Sequence, residues 1–344
     1  MELRTFTSTT PDAATRGAEL GAAFAPQYRR TAELYLAHFA ELGIASAAVR
    51  PIAEPPTASL TGGAPGLAAE PDPIAAAAGL EPWRLAAVGG RTEILAVAPP
   101  PREGECSTAV HVGPGHAAET LQTWDWHDFL VPQGLLVEFT AAGGMRVKMF
   151  TEFGTAAKIG VNSAGLGLHF NILSHQTDSD AGGVPVHAIA RRVLEEARTI
   201  EDARDIAASA PVSASTVLTV FTTDGAGSRA ASLELSPAGL GVVEPAADGW
   251  LFHTNHFLDQ ALYVGDTMPA DSTTVERFAH LDDVRDALAG LDPTARALAA
   301  CGGHGAAAEI CMTPDPTLPR VDQWATLLTV AVDTEGFALE VFPG

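Results

Sequence analysis

A chain of 344 residues, 47% of them hydrophobic, holds enough apolar material to bury a sizeable core as one large domain or two ordinary ones. Its 42 acidic and 20 basic residues give a net charge of -22, which opposes nucleic-acid backbones and anionic membrane surfaces as partners. The 3 cysteines are too few and odd in number for a disulfide framework, and the opening MELRTFTSTTPDAATRG has no uninterrupted apolar stretch, so a cytoplasmic globular protein is expected.

In chain order, residues 12–42 carry apolar side chains at helical spacing, and Pro26 divides the run into two helices. From Pro51 to Pro73, Pro, Gly, Ala and Thr gather without periodicity, which reads as a long surface connection. Residues 74–95, IAAAAGLEPWRLAAVGGRTEIL, return to helical character with a break near Gly79 to Pro82, and the loop APPPREGE closes the segment. At Cys106 the texture changes. CSTAVHV, ETLQTWDWH, LLVEFTA, RVKMFTEF and KIGVNSAGLGLHFNIL are short β-prone runs separated by glycine-containing turns. Two helices follow, PVHAIARRVLEEA and TIEDARDIAAS, the second opened by Thr199 with Glu201 and Asp202 in its first turn. Strands then return in STVLTVFTT, SRAASLELS, GLGVVEP and GWLFHTNHF, and a capped helix, STTVERFAHLDDVRDALAGL, leads to a closing hairpin across Asp333 to Gly336. Strand groups flanking helix pairs indicate an α+β fold with helices layered on antiparallel sheets.

Cys106 begins a β-prone run directly behind a proline-rich loop. By chemistry it is either a small buried hydrophobe or a nucleophile that needs a base or a positive neighbour. Asp125 stands between Trp124 and Trp126, and a carboxylate wedged between indoles requires a specific hydrogen-bond partner. The cluster His253-Thr254-Asn255-His256 ends a strand; its histidines suit no common zinc spacing, but they or His111 offer a base for a cysteine/histidine pair. Cys301 and Cys311 around His304 read as packing, since their spacing is no recognised ligand pattern. VNSAGLG lacks the spacing of a phosphate-binding loop.

Four stretches in order, RTEIL before GECST, then TWDW, TEFGTAAKIGVNSAGLG and HTNHF, resemble the acyl-coenzyme A:6-aminopenicillanic acid acyltransferase family, the C45 group of autoproteolytic N-terminal nucleophile hydrolases. The resemblance implies a four-layer αββα sandwich of two antiparallel sheets, built as a single domain over residues 1–344. It implies self-cleavage between Glu105 and Cys106 into a small chain, 1–105, and a large chain, 106–344, that stay together. Cys106 would then carry nucleophile and α-amine base on one residue; a free α-amine ordinarily titrates at about 7.7–8.0, which suits a base at neutral pH. By the same correspondence Asp125 orients the amine and Asn255 donates to the oxyanion, with backbone N–H groups at Phe153 and Gly154 as a second donor. The substrate expected is a small N-acyl compound or short peptide. No cofactor is implied, apart from an acyl-coenzyme A donor if the reaction is a transfer. An unprocessed Cys/His amidase and a degenerate ligand-binding member are the alternatives. The chain departs from the family pattern at Glu105, where the acyltransferase has glycine, at Gly89 and Gly90, where asparagine is frequent, and at Phe153, where TEFG replaces TEAG. A late arginine of the fungal enzyme's site is matched here only by the position of Arg320.

Overall fold

The structure, a computed structural model, describes residues 1–63, 65–97, 106–269, 272–302 and 308–343, with side chains omitted from 55 to 66. Glu105 and His304 lie outside the described residues. The N-terminal part begins with strand β1 (Glu2–Thr7) and continues as helices α1 (Ala13–Ala23), α2 (Ala25–Glu41), α3 (Ser46–Gly63), α4 (Pro65–Ala68), α5 (Pro71–Ala78), α6 (Pro82–Gly89) and α7 (Arg91–Leu95). Asp12 starts α1 by accepting from Thr15 N at 2.8 Å. Pro26 sits in the first turn of α2, where its missing N–H costs nothing, so the run does split there.

The expected surface connection over 51–73 is instead mostly helical. Val49, Ile52 and Ala53 of α3 are buried in one cluster with Ala87, Val88, Ile94 and Leu95 of α6 and α7, and this packing outweighs the low helix propensity of the prolines.

Beyond Cys106 come β2 (Cys106–His111), β3 (Glu119–Trp126), β4 (Gln133–Thr140), β5 (Arg146–Glu152), β6 (Ile159–Asn162) and β7 (Leu166–Ile172), then α8 (Val186–Glu196) and α9 (Ile200–Ser209). Thr199 and Asp202 close a reciprocal capping box at the start of α9. The chain continues through β8 (Thr216–Asp224), β9 (Gly227–Ser236), β10 (Gly239–Val243), β11 (Trp250–His253), α10 (Gln260–Tyr263), α11 (Thr274–Leu288), α12 (Pro293–Cys301), β12 (Ala325–Asp333) and β13 (Ala338–Pro343).

Two sheets form, one in the order β1-β4-β5-β6-β7-β8-β9-β10 and the other in the order β11-β2-β3-β12-β13. The second is antiparallel throughout; the first carries one parallel pair, Glu2–Thr7 of β1 alongside Gln133–Glu138 of β4, which corrects the expectation of purely antiparallel sheets. Leu168, Phe170 and Ile172 of β7 pack outward on Ile189, Val193 and Leu194 of α8. Val110, Trp124 and Val330 pack inward against Phe150, Val161 and Phe221 of the facing sheet. Ala109, Leu121 and Phe252 turn to Leu281 and Leu288 of α11. The layers are therefore helix, sheet, sheet, helix, an α+β sandwich of the αββα kind. Among the described residues no helix is long and apolar enough to cross a membrane.

Candidate active site

The sandwich brings the first residue of β2 against the end of β3, with Cys106 opposite Trp124. Strand pleating then decides where the TWDW side chains go. Trp124 and Trp126 point into the core between the sheets, where Lys158 Nζ lies 4.7 Å from the Trp124 ring and the Arg91 guanidinium 4.0 Å from the Trp126 ring. Asp125 points to the other face, so the carboxylate is not wedged between its indole neighbours. One partner is Thr326 on β12, whose Oγ1 donates to Oδ1 at 2.5 Å. The Asp125 backbone carbonyl, in turn, receives the Cys106 thiol at 4.0 Å.

The backbone of Cys106 is held from three elements. Its N–H donates to Asn255 Oδ1 at 2.8 Å, just beyond β11. Its carbonyl accepts from Arg277 Nη1 of α11 at 2.7 Å and from Asn171 Nδ2 of β7 at 3.1 Å. Arg277 also donates to Ser107 Oγ at 3.0 Å and, through Nη2, to Asn255 Oδ1 at 2.9 Å. Asn255 Nδ2 donates to Ile172 O at 2.9 Å. The orientation of the Asn255 amide follows from these neighbours: two donors require its oxygen on one side, and a carbonyl requires its nitrogen on the other. Asn171 is set by Thr108 Oγ1 and Gln122 Nε2, which donate to its Oδ1 at 2.7 and 2.9 Å.

Cys106 is 3% exposed. Burial and then the Asp125 carboxylate push its thiol up to about 12, against a smaller opposing pull from Lys158 and Arg277. A thiol held that high is almost wholly protonated at neutral pH and needs a base to take its proton. The histidines close in sequence are engaged elsewhere. His253 shares Nε2 with Glu234 Oε1 at 2.7 Å, and His256 Nδ1 faces Thr254 and Thr274 hydroxyls at 3.2 and 3.0 Å. His111 lies at the far end of β2, stacked on Trp250.

Beside this cluster lies a second buried polar group contributed by RTEIL and TEFG. Arg91 Nη2 and Lys158 Nζ meet Glu152 Oε1 at 3.0 and 3.1 Å, and Tyr35 donates to Glu152 Oε2. Burial raises Glu152, but the two cations outweigh it and hold the carboxyl below the usual range; burial brings Lys158 down to about 8. Glu93 accepts from Val186 N at the start of α8 at 2.9 Å, and burial raises it to about 7.

Sequence reasoning thus brings Cys106, Asp125 and Asn255 to one place. The Phe153 ring packs on Phe24 and Tyr28 on the helix side of β5, and Gly154, at φ 120°, backs onto Val88 and Leu85. A cavity of about 90 Å³ on that side is lined by Gly154, Glu152, Arg16 and Glu70, and Cys106 does not line it. Arg320 is also elsewhere, half exposed and paired with Glu41 at 2.8 Å. The arginine beside Cys106 is Arg277, which the sequence reading missed. Its signal was present: Thr274, Arg277, Leu281 and Leu288 are the buried positions of α11, so a cation stands on the inward stripe of that helix. Asn171 carries a comparable signal, a polar residue alternating with Phe170 and Ile172 in a fully buried strand.

A conjugated bile acid hydrolase from Clostridium perfringens is similar in fold over 69% of this chain and 92% of that one, with TM-score 0.42 and 13% identity. Penicillin V acylase from Agrobacterium tumefaciens is similar over 70% of this chain and 83% of its own, with TM-score 0.46 and 16% identity. Neither likeness carries a residue role across. In sequence, the acyl-coenzyme A:6-aminopenicillanic-acid-acyltransferase 40 kDa form of Emericella nidulans is 30% identical over 187 residues, 54% of this chain and 50% of that protein, so the match spans about half the length of the curated relative. The family model for acyl-coenzyme A:6-aminopenicillanic acid acyl-transferase matches residues 119–290, half of the chain and a span that includes Asp125, Asn171, Asn255 and Arg277. By that match the chain belongs to the acyl-coenzyme A:6-aminopenicillanic acid acyltransferase family.

Proposed function

We propose that this chain is an autoproteolytic cysteine N-terminal nucleophile enzyme, an amidohydrolase or acyltransferase acting on a small N-acyl compound or short peptide through a thioester. The observation that carries the reading is the treatment of Cys106: a protonated, buried thiol whose own backbone N is held by Asn255 and whose carbonyl is held by Arg277 and Asn171. An architecture that fixes both backbone groups of the nucleophile suits a residue that becomes a chain terminus.

Self-cleavage requires Cys106 Sγ to attack the Glu105 carbonyl carbon. The C–N bond then breaks, the nitrogen takes the thiol proton, and water releases Glu105 from the resulting thioester as a carboxylic acid. The Cys106 nitrogen is thereafter an amine. It accepts the thiol proton as Sγ attacks a substrate amide and returns it to the leaving amine, and water or an acceptor amine clears the thioester. No histidine is needed. Asn255 holds the amine by its Oδ1 and Arg277 fixes Asn255, while Asp125 lends negative charge that favours the protonated amine formed in the step. The oxyanion role for Asn255 requires an Nδ2 hydrogen directed to the substrate carbonyl, which is a separate demand on the same side chain. If the reaction is a transfer, an acyl-coenzyme A thioester is the donor class.

Intact mass spectrometry tests the reading: the wild-type protein gives two pieces of roughly 11 and 25 kDa that copurify, and Cys106→Ala gives one chain. A wild-type protein that is active as a single uncut chain overturns the amine mechanism.

A further inference from the structure

We propose that Cys301 and Cys311 are a thiol–disulfide site, which closes to an intramolecular bridge with a low-molecular-weight disulfide as oxidant. Helix α12 ends at Cys301, and a turn in which Cys311 N donates to Ala308 O at 2.9 Å brings the second cysteine back over it. Cys311 Sγ lies 3.8 Å from the Cys301 carbonyl oxygen, so the second thiol is set directly against the backbone of the first cysteine. Disulfide bridges join Cα atoms about 5.5–6 Å apart, a span that suits a turn placing the Cys311 sulfur on the Cys301 carbonyl. Both residues are partly exposed at the edge of the cluster formed by α11, α12 and the outer face of the five-stranded sheet. A small oxidant can therefore reach them, in contrast to Cys106 at 3% exposure.

Either thiol can open the exchange, and the steps have the same form from Cys301 or from Cys311. Opened from Cys301, the first step has that thiolate attack one sulfur of the oxidant, whose S–S bond breaks and releases one thiolate. In the second, Cys311 gives up its proton and attacks the Cys301 sulfur, forming the protein S–S bond and releasing the second thiolate. The two protein protons end on the two released thiols; the protein dithiol is oxidised and the reagent reduced. Proximity favours the second step over a lasting mixed disulfide. Neither thiol takes part in the chemistry proposed for Cys106. The site is nevertheless close to it, since Met312 exchanges two hydrogen bonds with Thr326, at 2.8 and 2.9 Å, and Thr326 bonds Asp125.

The experiment uses the full chain carrying Cys106→Ala, in which only these two thiols remain. It is incubated with oxidised glutathione, alkylated with N-ethylmaleimide and weighed intact. The expected result is a mass loss of about 2 Da with no maleimide added, a cross-linked Cys301–Cys311 peptide pair, and recovery of two labels after dithiothreitol. With Cys311→Ser added, the same treatment should instead leave a glutathione adduct on Cys301. Two maleimide labels after oxidation, or stable glutathione adducts without closure in the chain that keeps both cysteines, would overturn the proposal.

Discussion

The two sides of the 105/106 bond are held in different ways. Upstream, the chain is secured by many distributed contacts. β1 is zipped along six residues of β4, Tyr35, Phe39, Ile94 and Leu95 are buried in the inter-sheet core, and Arg91 and Glu93 are buried with partners on β5 and α8. Downstream, the first residue is held at two backbone atoms by three polar side chains, Asn255, Asn171 and Arg277. Distributed apolar and ionic contacts do not depend on covalent continuity, so the proposed cut at this bond would leave the small chain in place. Convergent polar contacts behave in the opposite manner, because the loss of one partner leaves buried groups unsatisfied.

The strongest way to break that comparison is to remove the arginine on which the downstream side converges. Arg277→Met deprives Cys106 O, Ser107 Oγ and Asn255 Oδ1 of a donor together. We expect self-cleavage, followed as fragment yield on a denaturing gel, to slow by about 10²–10³, the range typical for a preorganised donor. Arg277→Lys retains charge but not the fork, and should recover only part of the rate. An unchanged half-time would remove Arg277 from the site. Asp125→Asn and Asn255→Ala are expected to fold and to lose turnover in the same assay series, and full activity in either would withdraw its proposed role.

The upstream side is sharpened by pH. Burial lifts Glu93 from 4.5 to about 7, so the folded chain binds more protons than the unfolded chain between those values. The contribution is fully present below about pH 4.5 and is lost as pH rises through about 7, on the order of 3 kcal/mol in all. Glu93→Gln keeps an acceptor for Val186 N without the titration. Its Tm should therefore fall less than that of the wild type between pH 5 and 7.5. Parallel curves for the two proteins would show that Glu93 does not titrate in this window.

The same contrast explains what the sequence disclosed. The strands after Cys106, the split at Pro26 and the capping box at Thr199 were legible because each rests on local pattern or local hydrogen bonding. β1 was not, because six residues carry no strand signal until a parallel partner 131 positions away accepts them, as Glu2 beside Gln133 illustrates. The helices in 51–73 were hidden by prolines whose cost is met by tertiary packing at Val49, Ile52 and Ala53. At the site, Cys106, Asp125 and Asn255 came from motif order, whereas Arg277 and Asn171 sit in segments whose role depends on where α11 and β7 are stacked. TWDW was legible as a site but not in its orientation, since alternation along β3 separates the carboxylate from both indoles.

The smallest effect tests the link between Asp125 and the strand behind it. Thr326 Oγ1 is the donor to Asp125 Oδ1 at 2.5 Å, and the same oxygen accepts from Met312 N at 2.8 Å. Thr326→Val keeps the shape of the side chain but removes the hydroxyl, leaving a buried carboxylate without one charge-assisted bond. A loss of about 2 kcal/mol is expected, read as a lower midpoint in urea with the slope unchanged. Thr326→Ser restores the hydroxyl and should recover most of that loss, since only a methyl group is missing. If Val and Ser shift the midpoint equally, the hydroxyl does not anchor Asp125.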